Sequence, residues 1–243
     1  MPDPILFSGD CLDVMPLLEE KSIDLVLTDL PYGTTYARWD SCIDLERLWE
    51  EWLRLLKPCG AIVLTASQPF TSQLVMSRPK LFRCEWIWDK VMGANFANSS
   101  HQPLKVHESV LVFSPGKATY NPQKTRGAVN HCQGRNARPR KCETQVISDR
   151  AKDDLSGWKF PKSIQTFPKH SSQSKLHSTQ KPVELFEYLI RTYSNEGNMV
   201  LDCCAGSGTT GVAAMRSGRQ SILIEKDDSC MEIIRKRLFP VKD

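Results

Sequence analysis

Ile23-Asp24-Leu25-Val26-Leu27-Thr28-Asp29-Leu30-Pro31-Tyr32-Gly33 is an apolar, β-branched run that stops abruptly at an acid, a proline and an aromatic. The run reads as a buried strand. Pro31 removes a backbone donor and holds Leu30 extended, and Gly33 lets the chain turn away. Asp29 and Tyr32 are thereby left at the carboxyl edge of the sheet, where ligands of open α/β sheets sit. A carboxylate, a free carbonyl and an aromatic face at that edge suit a flat heterocycle bearing an amino group, such as a nucleobase.

Working outward, Ile5 to Phe7 reads as a short strand ending at Gly9-Asp10, and Leu12 to Leu18 as a short helix or turn. Leu45, Leu48, Trp49, Trp52, Leu55 and Leu56 recur at helical spacing, and this helix is expected to stop at Pro58 and Gly60. A strand over Ala61 to Leu64, a weaker helix over Gln68 to Ser77, and strands over Phe82 to Trp88 and Ser109 to Phe113 follow. Order resumes with a helix from Pro182, strand Met199 to Asp202, a glycine turn, helix Thr210 to Arg216, strand Ser221 to Glu225 and a helix to about Leu238. Strands alternating with helices predict an α/β fold with a doubly wound, mostly parallel sheet.

Between these halves, from Ser114 to about Ser178, no helical or strand period persists, and the composition turns to Pro, Gly, Asn, Gln, Ser, Lys and Arg. The reading is one α/β domain formed by 1–113 and 176–243, with 114–175 inserted. From Ser114 to Lys175 there are thirteen Lys and Arg against four acids, so this segment carries about +9 and the remainder about −5 of the net +4. A phosphate backbone is the natural partner for such a concentration. Tyr120, Trp158, Phe160 and Phe167 are aromatics within it.

At 243 residues the chain can bury one good-sized core. No stretch is apolar for long enough to span a membrane, and the amino terminus does not read as a secretory signal, which points to the cytoplasm. The nine cysteines include no CxxC pair, and the five histidines form no metal spacing, so neither a disulfide framework nor a metal site is expected.

Asp202-Cys203-Cys204-Ala205-Gly206-Ser207-Gly208-Thr209-Thr210-Gly211 follows a strand and opens a helix, the context in which a glycine turn lets a ligand approach the backbone. Gly206, Gly208 and Gly211 form GxGxxG, with Glu225 ending the next strand, so a dinucleotide is one reading and S-adenosylmethionine another. Asp202 before the glycines, and the lack of a candidate hydride-transfer site, favour the second. His177-Ser178-Thr179-Gln180-Lys181-Pro182 places hydroxyl, amide and backbone donors at a helix amino terminus, which suits a carboxylate.

Asp29-Leu30-Pro31-Tyr32 resembles the (D/N/S)-P-P-(Y/F/W) signature of S-adenosylmethionine-dependent amino methyltransferases, which modify adenine N6 or cytosine N4 in DNA. Leu30 replaces the first proline; that position works through its carbonyl, which leucine retains. The glycine turn resembles the D-x-x-x-G-x-G pattern of the same family, implying that Asp202, Ala205, Gly206 and Gly208 border the cofactor and that Glu225 accepts from its ribose hydroxyls. The segment with Thr179, Gln180 and Lys181 resembles the family's H-x-T-Q-K-P, which caps the methionine end. Gly9-Asp10 resembles the acid that contacts the adenine of the cofactor.

Base pocket first, basic insert next and cofactor turn last is similar to the β-class circular permutation of these enzymes, and His107 to Phe113 resembles the strand before its target-recognition region. The resemblance implies a Rossmann-like methyltransferase fold, S-adenosylmethionine as cofactor, double-stranded DNA as partner and, as a family expectation, a homodimer. Aspartate in the first motif position leans to adenine N6, with cytosine N4 the near alternative.

Three other readings stand beside it. One is a nicotinamide-dependent oxidoreductase. Another is a cytosine C5 enzyme using Cys59 of Pro58-Cys59, although that dipeptide reads as a connecting turn. The last is a DNA-binding module that has lost activity.

Overall fold

The computed structural model describes residues 3–34, 40–128, 156–169 and 180–239. They divide into two compact units, one drawn from residues 1–121 with 163–243 and the other from residues 122–162.

The larger unit is built on an eight-stranded sheet. In chain order its strands are β1 (Ile5–Ser8), β2 (Ile23–Thr28), β3 (Leu56–Ala66), β4 (Phe82–Ala94), β5 (Lys105–Phe113), β8 (Ile164–Thr166), β9 (Met199–Asp202) and β10 (Gln220–Glu225). Their spatial order is β1-β10-β9-β2-β3-β5-β4-β8. Pairing is parallel from β1 through β3, antiparallel for β3 with β5 and β5 with β4, and parallel again for β4 with β8.

Alternation within the strands supplies two buried faces. Val26, Ile62, Leu64, Leu201 and Ile224 face α2 (Leu45–Leu55) and α3 (Phe70–Ser77). Leu25, Leu27, Val63, Val112 and Val200 face α4 (Val183–Tyr193) and α5 (Thr209–Arg216). The sheet is therefore wound on both sides, as strand–helix alternation implies. On α2, Asp44 caps the amino terminus by accepting from the Glu46 and Arg47 amides, and Leu48, Trp49, Trp52 and Leu55 turn inward. Trp49 meets its polar requirement by donating to Ser77 Oγ at 2.9 Å.

Three departures from the sequence reading have physical causes. After α2 the chain enters β3 at Leu56 with no connecting turn, and the ladder to β2 skips from Leu56 to Ala61. Pro58 has no amide to give that ladder, and a side chain at Gly60 would lie 3.0 Å from the Asp24 carbonyl. The β4–β5 pair runs well past its apolar half, with Trp88 opposite Glu108 and Asp89 opposite His107. Finally, Ile164–Thr166, within the stretch read as insert, is the edge strand beside Ile87–Asp89; three residues are too few to show a period.

The smaller unit contains a two-stranded antiparallel ribbon, β6 (Thr125–Arg126) with β7 (Trp158–Lys159). Arg126 Cζ lies 4.3 Å from the Trp158 ring centroid and Lys124 Nζ 4.4 Å from that of Phe160. Both aromatics are exposed.

Candidate active site

Chain direction in the sheet decides where the acids go. From β2 the chain winds through β3 away from β9, whereas from β9 it winds through β10 towards β1, so the winding reverses between β2 and β9. A crevice forms at the carboxyl ends beside such a switch point. There β1, β2, β9 and β10 end in or just before Asp10, Asp29, Asp202 and Glu225, and all four line one cavity of about 800 Å³. Leu30, Pro31, Tyr32, Gln180, Lys181, Ala205 and Gly206 line it too. Thr179 lies outside the described residues.

At one end of this cavity Asp29 is heavily engaged. Its Oδ1 accepts from the Tyr32 hydroxyl at 2.7 Å and from the Thr65 hydroxyl, and its Oδ2 is 2.8 Å from Lys181 Nζ. Lys181 also lies 3.2 Å from Glu108 Oε2, whose other oxygen is 3.1 Å from Lys90 Nζ. Two lysines and two acids thus alternate in a chain, nearly shut off from water at Lys90, which is 1% exposed. Burial alone would push the Glu108 carboxyl up, but the two ammonium groups hold it at about 2. Burial would likewise lower Lys181, yet the Asp29 and Glu108 carboxylates keep it well above the usual lysine range, firmly charged. Burial, reinforced by Asp29, raises Tyr32, so its hydroxyl keeps its proton.

The turn after β2 is pinned from below and from beyond. Leu30 drives its side chain into the core under α2, which anchors its main chain at the cavity edge. Tyr32 stacks on Phe70 with ring centroids 5.6 Å apart. Asp40 accepts from the Gly33 and Thr34 amides at 2.8 and 2.9 Å.

At the other end Gly206 has φ +53, and a Cβ there would meet nothing within 4 Å. The cavity therefore has a bare backbone wall that a ligand can approach closely. Gly206 donates its amide to Glu225 Oε2 at 2.7 Å, while Lys226 and Asp227 amides hold Oε1 at 2.9 Å each. That fixes the orientation of the Glu225 carboxylate at the cavity wall. Asp10 caps the helix α1 (Cys11–Val14), accepting from the Leu12 amide at 3.0 Å.

Two sequence-derived residues have structural duties. Asp202 is buried, with Oδ1 accepting from Thr28 Oγ1 at 2.7 Å and the Cys204 amide at 3.1 Å, and Oδ2 from the Thr210 hydroxyl. Burial raises it to about 6 despite these bonds, and they lock the turn to the helix after it. Gly208, at φ +74, packs against α6 (Asp228–Leu238): a Cβ there would sit 3.1 Å from Ile234. It is not among the residues that line the cavity.

The structure adds residues that the sequence reading passed over. Lys90 continues the alternation Trp86, Trp88, Lys90 on an inward face, so a charge at that period was the available signal. Glu108 continues Val110 and Val112 in the same way. Thr65 and Asp40 gave no such sign. Lys181, expected beside a cofactor carboxylate, spends its charge on Asp29 and Glu108. Cys59 is exposed, stands within β3 and lines no part of the cavity, which removes the site that a C5 nucleophile would need. Among the described residues no helix is long and apolar enough to cross a membrane.

Comparison with known proteins bears on this geometry. The chain is 29% identical to the type II methyltransferase M.HpaI of Haemophilus parainfluenzae, over 97% of this chain and 74% of that protein. It is 27% identical to the DNA adenine methyltransferase YhdJ of Escherichia coli K12, over 96% and 82%. The fold is that of the M1.HpyAVI–SAM complex, with a TM-score of 0.68 at 19% identity over 97% and 98% of the two chains. It is also that of the cytosine-N4-specific PvuII DNA methyltransferase, with a TM-score of 0.66 at 16% identity over 98% and 93%. Residues 23–236 match the family model N6_N4_Mtase, described as DNA methylase, and the chain belongs to this family of S-adenosylmethionine-dependent DNA amino methyltransferases.

Proposed function

We propose that this protein methylates the N6 amino group of an adenine flipped out of double-stranded DNA. The observation that carries the reading is the continuity of one cavity from Asp29 and Tyr32 to Gly206 and Glu225. Reacting groups bound at its two ends would meet inside it. Aspartate at the first position of the motif, and the similarity to an adenine methyltransferase, support adenine over cytosine.

An exocyclic amino group is a poor nucleophile because its lone pair is delocalised into the ring. When bound, S-adenosylmethionine would supply an electrophilic methyl group on a sulfonium whose sulfur takes back the carbon–sulfur pair and leaves as the neutral thioether. Asp29 and the Leu30 carbonyl each accept one amino hydrogen, so that the nitrogen pyramidalises and directs its lone pair at that carbon. Positive charge then grows on the nitrogen, and the adjacent carboxylate stabilises it more than it stabilises the ground state. The nitrogen finally sheds one proton to Asp29 and on to solvent.

Asp29 Oδ1 carries the Tyr32 hydroxyl at 2.7 Å. Entry of the base displaces that bond, which frees the Tyr32 ring to stack on the purine. Oδ2 keeps its Lys181 partner, and Thr65 continues to orient the carboxylate. The oriented Glu225 holds the ribose hydroxyls, Asp10 contacts the adenine of the cofactor, and Gln180 lies at its methionine end. The basic stretch 114–175 holds the DNA backbone.

The test is transfer of a labelled methyl group to duplex DNA, followed by digestion to nucleosides. Label in N6-methyl-2′-deoxyadenosine is expected, with a fall of about 10²–10³ in turnover for Asp29→Ala and cofactor affinity retained. Label in N4-methyl-2′-deoxycytidine would replace adenine with cytosine. No label in DNA would overturn the proposal.

A further inference from the structure

Three thiols meet in the wall of the cavity. Cys11 opens α1 directly after Asp10, and Cys203 and Cys204 follow β9, so segments nearly two hundred residues apart converge here. All three line the cavity, and their sulfur atoms lie within 4.8 Å of one another. Cys11 and Cys203 are buried; Cys204 is partly open. None is in a disulfide. Cys203 also donates to the Thr28 hydroxyl at 3.7 Å, a weak contact that a stronger one readily displaces.

We infer that Cys11, Cys203 and Cys204 form a three-sulfur site for one closed-shell thiophilic cation, of the zinc or cadmium class, in the wall of the cofactor cavity. Sulfur bound to zinc stands at about 2.3 Å, which for three sulfurs sharing one ion places them roughly 4 Å apart. The cluster is within a short contraction of that spacing. Three protein sulfurs leave a fourth position, and the cavity side is where it opens. Each ligating thiol gives its proton to solvent, so binding forms metal–sulfur bonds and releases protons without any oxidant or reductant. A lone buried cysteine is ordinarily a small apolar side chain; three brought together from two segments are a ligand set.

An ion there would draw the start of α1 towards the Cys204–Gly206 turn and occupy space beside Asp10 and Gly206. Metal and S-adenosylmethionine should therefore exclude one another. This competition rests on the assignment of the cavity to the cofactor, whereas metal binding does not.

The experiment is titration of the reduced full-length chain with cadmium, followed by thiolate-to-cadmium charge-transfer absorption in the ultraviolet. One equivalent per chain is expected, with the intensity of three thiolates. Cys11→Ser and Cys204→Ala should each lower the intensity by about a third and weaken binding at least tenfold, and Cys59→Ser should leave both unchanged. Thermal unfolding identifies a variant that fails to fold; Cys204, the least buried of the three, then carries the test. Saturating S-adenosylhomocysteine should raise the cadmium needed at least tenfold. No one-equivalent band in the wild type, or full intensity in Cys204→Ala, would overturn the site. Cysteine-dependent binding that S-adenosylhomocysteine leaves untouched would support the metal site and count against the cofactor reading of the cavity.

Discussion

Lys181 Nζ stands 2.8 Å from Asp29 Oδ2 and 3.2 Å from Glu108 Oε2, so one ammonium joins the acid after β2 to an acid of β5. The two acids come from sequence positions 79 residues apart and the lysine from a third segment. Lys90 closes the chain on the far side of Glu108. The arrangement fixes the Asp29 carboxylate in direction while leaving its Oδ1 side to the Tyr32 and Thr65 hydroxyls.

Replacing Lys181 with methionine should leave Asp29 without its cation and Glu108 with Lys90 alone. Breaking a buried pair costs about 3–5 kcal/mol, and partial exposure of Asp29 reduces this to roughly 1–3 kcal/mol. Urea unfolding measures it. The double variant with Glu108→Gln should be less unstable than the two single costs added; simple additivity would refute the coupling.

Acid should weaken the fold through Glu108. Its carboxyl stands at about 2 in the folded protein, below the 4.5 of a free glutamate, so the unfolded chain binds the proton more readily. The stabilisation is fully present above about pH 5 and is lost as pH falls through 4.5 towards 2. Asp202 acts in the opposite sense: its folded value of about 6 exceeds 3.8, so protonation between these values favours the folded state. Thermal midpoints should thus fall less steeply in acid for Glu108→Gln than for the wild type, and lose their gain near pH 5 for Asp202→Asn.

Two glycines of the same motif, Gly206 in the turn and Gly211 inside α5, should fail in different ways. A Cβ at Gly206 meets no atom but enters the cavity at a left-handed φ, so Gly206→Ala should lower cofactor affinity at least tenfold, with a backbone cost of about 1 kcal/mol. At Gly211 a Cβ would stand 2.6 Å from Leu238 and 2.8 Å from Leu223. Gly211→Ala should lower the unfolding midpoint by overpacking and leave cofactor affinity unchanged. Calorimetric binding and thermal unfolding separate the two.

In the smaller unit, Arg126 over Trp158 offers a cation beside an exposed ring. If it meets a phosphate, Arg126→Ala should reduce the slope of log affinity for DNA against log salt by about one. Trp158→Ala should lower affinity with that slope unaltered. Equilibrium binding over a range of salt distinguishes them, and an unchanged slope in Arg126→Ala would exclude this contact.

Much of the fold could be read from the chain because its signals are local. The apolar run into Asp29, the heptad-like spacing of α2 and the glycines after Asp202 each announce an element within a dozen residues. The extension of the β4–β5 ladder beyond Trp88 and Ser109 and the edge strand Ile164–Thr166 carried no such signal, since pairing there depends on a neighbour already in place.

The site divides along the same line. Residue identity and short spacing determined that an acid, a carbonyl and an aromatic would end β2 and that a bare glycine turn would follow β9. Only the tertiary structure decided that Lys181 answers Asp29 and Glu108, that Lys90 is buried, and that Cys11 meets Cys203 and Cys204. Backbone conformation follows from near neighbours in the chain, whereas ion pairs and thiol clusters follow from which strand ends the winding of the sheet brings to one edge.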